Sequence, residues 1–312
     1  MTVQRVAVVG AGVIGSAWVA HLLAHGHEVA VHDPAPRAYD QLTRHLEAAR
    51  PALGALGLQT TGWSTRLHWS SSIDDTVDGA TFVQENGPEG TDLKAALLAE
   101  LDRATSPEVV IASSTSGTMP SQLAEMCPHH PERVVVGHPF NPVYLIPLVE
   151  VVGAPTTPQS TIDHAMGFYA SVAKRPIHLR HELPGHLANR LQAALWREAY
   201  SLVDRGVASV SDIDTAIAHG PGLRWALLGP LVNQHLSGGP GGLAHILEHL
   251  GPPTQRWMDD LGSPQLTPEL ARALVSGVAD ELHGVDVAAM TAERDALLIG
   301  LLGAKARATH LP

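Results

Sequence analysis

The chain has a single cysteine, Cys127, among 312 residues, so no internal disulfide can form and a reducing compartment fits the composition. No apolar run is long enough to span a bilayer. No basic segment precedes the first apolar stretch, so a secretory leader is not expected. Basic residues are in short supply: 20 Lys and Arg against 31 Asp and Glu give a net charge of −11. That balance excludes broad binding to nucleic acid or to an anionic membrane. A cytoplasmic protein is the expectation. What the chain does have is core-forming material, 45% hydrophobic residues, enough for one large or two moderate domains.

Val3 to Val9 is apolar except for Gln4 and Arg5, the pattern of a parallel strand covered on both faces. Gly10-Ala-Gly12-Val13-Ile14-Gly15 follows at once, and Ser16 to His25 reads as a helix stopped by Gly26. Glu28 to Asp33 is the next strand and ends in an acid. A glycine fingerprint alone is weak. Here it stands between a strand and a helix, with an acid about 20 residues on, which makes it specific for a dinucleotide. The glycines let the backbone approach a pyrophosphate, and Asp33 suits the adenosine ribose hydroxyls. A carboxylate there repels a 2′-phosphate, so the cofactor is expected to be NAD.

Further along, Arg37 to Leu56 and Thr91 to Arg103 read as helices, and Thr81 to Glu85 and Val109 to Ser113 as strands. Gly57 to Ser72 reads as a loop or helix end. Strand and helix alternate to Val152, so the expected fold is α/β, a Rossmann-type doubly wound, mostly parallel sheet. From about Leu183 the pattern turns helical, with His186 to Arg205 long and amphipathic and Ser211 to Asp214 read as a capping-box start. Leu243 to Leu250, Pro268 to Leu282 and Ala288 to Ala306 read as further helices. The expected division is residues 1–183, binding nucleotide, and an all-α domain of residues 184–312 that meets substrate and a second copy.

The chemistry is expected around Gly137 to Val152. Arg133 to His138 reads as a strand delivering His138 at its carboxyl end, and Pro139, Pro142 and Pro147 then force an extended path. Leu148 to Val152 reads as a second strand with Leu148, Glu150 and Val152 on one face. A carboxylate among aliphatic neighbours needs a partner, and His138 is the nearest candidate in sequence. A glutamate held against one imidazole nitrogen leaves the other free for proton transfer. The same pair also suits a purely structural contact, and these residues alone leave both readings open.

Gly10–Gly15, Asp33, Ser113-Ser-Thr-Ser116, Gly137-His-Pro-Phe-Asn141, Glu150 and Pro184-Gly-His-Leu-Ala-Asn-Arg190 together resemble the 3-hydroxyacyl-CoA dehydrogenase superfamily over essentially the full chain. Gln84 to Glu89 and Gly220 to Pro230 are most similar to its branch of L-gulonate 3-dehydrogenase (lambda-crystallin) and L-carnitine dehydrogenase. The resemblance implies His138 as general acid/base with Glu150 orienting it, and Ser116 and Asn189 as donors to the reacting oxygen. It also implies Glu89 and Lys94 on the nicotinamide side of the cofactor, Asn141 at the substrate, and a homodimer.

CoA-using members carry a lysine-rich stretch after the second strand. Here Arg37 to Ser70 holds four arginines and no lysine, which points away from CoA. Arg224 has no counterpart in those relatives, and a guanidinium suits a free carboxylate; an interface or capping role is equally open. Trp225 suits packing on a quaternary ammonium, but core burial is the expected role. His245-Ile-Leu-Glu-His249 matches an inverted zinc-peptidase pattern, but no third ligand stands out and no metal is expected. Ser116 lacks the elbow of a hydrolase nucleophile. The expected activity is NAD-dependent interconversion of an L-3-hydroxyl and a ketone on a small hydroxycarboxylate. The alternatives are reduction of a 3-ketoacyl-CoA or polyketide thioester, and a structural crystallin-like binder of NADH.

Overall fold

A computed structural model describes residues 3–311. The chain divides into two compact units, Met1–Arg190 and Leu191–Pro312. No helix among the described residues is long and apolar enough to cross a membrane.

The first unit alternates strands and helices in the order β1 (Arg5–Val9), α1 (Val13–Ala24), β2 (Glu28–His32), α2 (Ala38–Ala55), β3 (Leu67–Trp69), α3 (Ile73–Val77), β4 (Phe82–Glu85) and α4 (Thr91–Ala104). It continues through β5 (Val110–Ser113), α5 (Pro120–Glu125), β6 (Val134–Pro139), β7 (Leu148–Gly153), α6 (Gln159–Ser171) and β8 (Arg175–His178). The strands form one eight-stranded sheet in the order β3-β2-β1-β4-β5-β6-β7-β8. All neighbours run parallel except β6 and β7. It is the expected doubly wound, mostly parallel sheet.

Alternation along the strands sorts the core into two layers. Val6 and Val8 pack with Trp18, Leu22, Leu42 and Phe168 on one side. Ala7 and Val9 pack with Val77, Leu98, Leu101 and Leu123 on the other. Cys127 belongs to the second layer, and burial pushes its thiol up to about 12, so it is an inert core residue. Gly137, one residue before His138, is fixed by a close approach: a Cβ there would stand 1.9 Å from the Tyr169 hydroxyl. That hydroxyl donates to Gln84 Oε1 at 2.7 Å, joining α6 to β4 beneath the site.

The antiparallel pair follows from the loop between its strands. Residues 140–147 reverse the chain, with a cis peptide between Asn141 and Pro142. Lys174, buried beneath this loop, donates to the carbonyls of Val143 and Ile146, the latter at 3.1 Å. Burial pulls its ammonium down to about 7. The resulting register sets His138 directly across from Glu150.

In the second unit lie most of α7 (Ala188–Asp204) and all of α8 (Val210–His219), α9 (Pro221–Trp225), α10 (Pro230–Ser237), α11 (Gly242–Asp260), α12 (Pro268–Glu281) and α13 (Val287–Arg307). Every element among its described residues is helical. The capping box is at Ser209 and Asp212, not at Ser211: the Ser209 side chain accepts from the Asp212 amide. α11 runs on past Leu250 through Pro252 and Pro253. Proline fixes φ near roughly −65°, which is itself helical, so the pair removes donors without leaving the helical path. Trp225, expected in the core, is 42% exposed.

Candidate active site

The β1 turn is built for close approach. Gly10 has φ of 90°, and a Cβ on it would stand 2.6 Å from Asn86 O. A Cβ on Gly15 would stand 1.8 Å from Gly10 O. α1 starts at Val13, three residues before the expected Ser16, so the amides of Val13 and Ile14 belong to its open first turn. Gly12 faces open space and is exposed. This end of the helix is suited to a pyrophosphate. A cleft of about 670 Å³ beside it is lined by Gly10, Gly12, Asp33, Asn86, Pro88 and Leu97 among others. Asp33 also makes contacts that the sequence did not reveal. Its carboxylate accepts from the amides of Ala11 at 2.7 Å and Ala35 at 2.8 Å, bracing the glycine turn from β2. The residues therefore fit NAD: glycine-walled space for the phosphates and a carboxylate at the cleft wall.

His138, next to last in β6, is nearly buried, 4% exposed, and in contact on both ring nitrogens. Nδ1 lies 2.8 Å from Glu150 Oε2. A carboxylate only accepts, so the proton sits on Nδ1 and Nε2 presents its lone pair. Nε2 lies 3.1 Å from Ser116 Oγ, which donates to it. Glu150 is fully buried, and its Oε1 accepts from the amides of Leu187 at 2.9 Å and Ala188 at 2.8 Å. Burial pushes the Glu150 carboxyl up, but the His138 hydrogen bond and the two amides outweigh it and hold the group below its ordinary range. The site thus keeps a carboxylate, not a carboxylic acid, behind the imidazole.

Ser116 sits in the turn after β5, four residues before α5, and does not cap that helix. Glu89 grips the same turn, accepting from Thr115 Oγ1 at 2.7 Å and from the Ser116 amide at 3.0 Å. Lys94 is buried, with its ammonium 2.8 Å and 3.0 Å from the two oxygens of Glu85 and 2.9 Å from Gly87 O. Those acceptors use its three N–H groups, so Lys94 braces the Asn86–Glu89 turn from beneath. Glu85 also accepts from Ser113 Oγ and the Gly87 amide, each at 2.5 Å.

Asn189, half-buried, is the second residue of α7, next to the amides that hold Glu150. Asn141 is exposed on the loop after β6. Arg224 is exposed on α9 and has no ion-pair partner among the described residues. Two of the four arginines between Arg37 and Ser70 are tied into the fold. Arg50 pairs with Glu47 and lies over the Trp63 ring, and Arg66 donates to Leu23 O. The rings of His245 and His249 lie 4.0 Å apart on α11, tilted by 41°, and no metal-holding cluster of three or more groups occurs among the described residues.

Three residues of this network were not singled out from sequence: Glu85, Thr115 and His186. Glu85 carried a readable signal, an acid at the end of an otherwise apolar strand. Thr115 acts through its hydroxyl, which donates to Glu89, and its carbonyl, which accepts from the His186 ring; these partners are far away in the chain, and no spacing announces that.

Residues 5–182 match the NAD binding domain of 3-hydroxyacyl-CoA dehydrogenase, and residues 185–278 match its C-terminal domain. The chain is 50% identical to an L-carnitine dehydrogenase of Streptomyces coelicolor, with 98% of this chain and 96% of the relative covered. It is 48% identical to an L-carnitine dehydrogenase of Streptomyces griseus, over 98% of this chain and 91% of that one. A crystal structure of 5-formyl-3-hydroxy-2-methylpyridine 4-carboxylic acid 5-dehydrogenase, an NAD+-dependent dismutase, superposes with a TM-score of 0.84 at 27% identity, covering 98% of this chain and 99% of that one. With both halves matched and relatives near half identity end to end, the chain belongs to the 3-hydroxyacyl-CoA dehydrogenase family and is an NAD-dependent dehydrogenase.

Proposed function

We propose that the protein interconverts the 3-hydroxyl of L-carnitine and the corresponding 3-ketone, with His138 as general acid/base. The observation that carries the proton half is the two-sided hold on His138, by Glu150 at 2.8 Å and Ser116 at 3.1 Å. In oxidation, Nε2 takes the hydroxyl proton and Glu150 stabilises the imidazolium that forms. In reduction, the same nitrogen protonates the forming alkoxide. Bound nicotinamide supplies or removes the hydride at that carbon. With substrate bound, the Ser116 hydroxyl turns from Nε2 to donate to the reacting oxygen, where charge develops, and Asn189 donates there too, which leaves Nε2 to take the proton. Gly10, Gly12, Val13, Ile14, Gly15 and Asp33 hold the nucleotide. Glu89 shapes its nicotinamide end, with Lys94 acting there through the turn it braces.

The substrate assignment is supported by relatives named L-carnitine dehydrogenase at 43–50% identity. It is also supported by the missing lysines of the Arg37–Ser70 stretch, two of whose arginines are already engaged. Arg224 is assigned to the substrate carboxylate and Asn141 to the same substrate. A panel of L-carnitine, L-gulonate, other 3-hydroxy acids and acyl-CoA or polyketide thioesters, followed by nicotinamide absorbance, tests this. L-carnitine should turn over fastest. Arg224→Ala should raise KM for it by about 10-fold or more with kcat little changed, as loss of one charge-assisted contact does. Preferred turnover of a thioester would overturn the substrate reading. NADH binding with no turnover of any compound would leave a crystallin-like binder.

We also propose a homodimer formed through the helical unit. Of its described residues, only Ser201, Gly238, Gly242 and Leu270 are buried, while Trp257 is 64% and Leu297 76% exposed. A unit of this length normally buries its own apolar core, and so much uncovered apolar surface implies a partner. Light scattering should give twice 33.0 kDa. A monomer at micromolar concentration would rule the dimer out.

A further inference from the structure

Both groups that hold His138 are themselves located by one residue further along the chain. His186 is 1% exposed, and its ring centroid is 5.3 Å from that of His138. Its Nε2 lies 3.2 Å from the Thr115 carbonyl oxygen, which can only accept, so Nε2 bears the proton and donates. Thr115 O belongs to the peptide that leads into Ser116, whose hydroxyl faces His138. The imidazole of His186 therefore anchors one arm of the His138 relay.

Its backbone anchors the other. Gly185 and His186 are both left-handed, with φ of 76° and 51°. Glycine adopts that region freely, whereas histidine persists there only where surrounding contacts over-determine it. The turn so formed aims the next two amides, of Leu187 and Ala188, at Glu150 Oε1. A side chain bonded to the Ser116 turn and a backbone kink feeding Glu150 meet in a single residue. Burial also keeps this imidazole below its ordinary range, against the pull of the Thr115 carbonyl. A charge on the His138 ring further disfavours one on His186.

We propose that His186 is a positioning residue for the hydroxyl–ketone reaction, fixing Ser116 through its ring and Glu150 through its left-handed backbone. The assignment rests on the acid/base reading of His138. In this role His186 acts through Ser116 and Glu150 and not on the reacting atoms.

The test compares His186→Phe, which keeps a flat ring against His138 but lacks the N–H, with His186→Gln, which carries an N–H at similar reach. His186→Phe should lower kcat by about 10- to 100-fold, the loss typical of a misplaced reacting group, with NADH affinity within about twofold. His186→Gln should recover most of kcat. In a Ser116→Ala background, His186→Phe should add less than about threefold, because the arm it fixes has already been removed. Should the phenylalanine variant fail to fold, His186→Asn tolerates the left-handed backbone, cannot reach Thr115 O, and carries the same comparison. Full multiplication of the two losses in the double variant, or unchanged kcat in His186→Phe, overturns the proposal. A His138→Ala variant with normal turnover would instead remove the acid/base reading and this one with it. Loss in His138→Ala beside an unaffected His186→Phe would remove only the role of His186.

Discussion

Replacing His138 with alanine should lower kcat for L-carnitine oxidation by about 10³- to 10⁴-fold, near the upper range for removal of a positioned acid/base. NADH affinity, read by fluorescence titration, should change by less than about twofold. The separation follows from geometry. The glycine turn, Asp33 and the Asn86–Pro88 segment line the nucleotide cleft, and His138 is not among its lining residues. The amides of Leu187 and Ala188 still hold Glu150 in the variant, so the carboxylate is not left without donors. A variant that loses nucleotide affinity together with turnover would show His138 to be structural. One that keeps kcat within about tenfold would place the proton transfer elsewhere.

The first half of the fold was legible because its determinants are local. β1, the glycine turn and β2 are a buried apolar run, a steric demand for glycine and a terminal acid, all within about thirty residues. β3 was not legible: Leu67, His68 and Trp69 form a short, half-buried edge strand with no apolar run to mark it. α6 could have been read, since Ile162, Ala165, Phe168 and Tyr169 recur at helical spacing and are all buried. In the helical unit, breakers misled the reading at Gly251-Pro252-Pro253. Trp225 was assigned to the core on residue type, although the α9 helix leaves it exposed.

The site divides along the same line. His138 and Glu150 were readable as a chemical pair, because a carboxylate among aliphatic residues demands a partner. Their register was not readable: it depends on the 140–147 loop, pinned from below by Lys174 on a distant segment. The same limit hid His186, whose bond to Thr115 O joins residues 71 apart. It also hid the engagement of Lys94, which the sequence leaves as a lysine in the first turns of a helix. Only the fold shows that Glu85 takes up its ammonium. Residue chemistry can be read along the chain, whereas the orientation of each group is set by contacts between segments.

The sharpest test of that orientation is Glu150→Gln, which should lower kcat by about 10³- to 10⁴-fold while preserving volume and fold. The amide oxygen can still accept from the Leu187 and Ala188 amides. The amide N–H₂ then takes the place of Oε2, 2.8 Å from His138 Nδ1, and donates where the carboxylate accepted. Nδ1 must give up its proton, which moves to Nε2, so the nitrogen facing Ser116 can no longer take a proton from the substrate. The analogous carboxylate-to-amide change in a Ser-His-Asp triad costs about 10⁴ in turnover by imposing the wrong tautomer. Stability supplies an independent reading. Glu150 is held below its ordinary value of 4.5, so the folded state favours the carboxylate. The stability this contributes is present above pH 4.5 and is lost as pH falls through the depressed value, because the unfolded state takes up the proton first. The gap in Tm between wild type and Glu150→Gln should therefore narrow as pH falls below 4.5. A pH-independent gap would mean that Glu150 is not held as the carboxylate. A kcat within about fivefold of wild type would mean that it does not set the His138 tautomer.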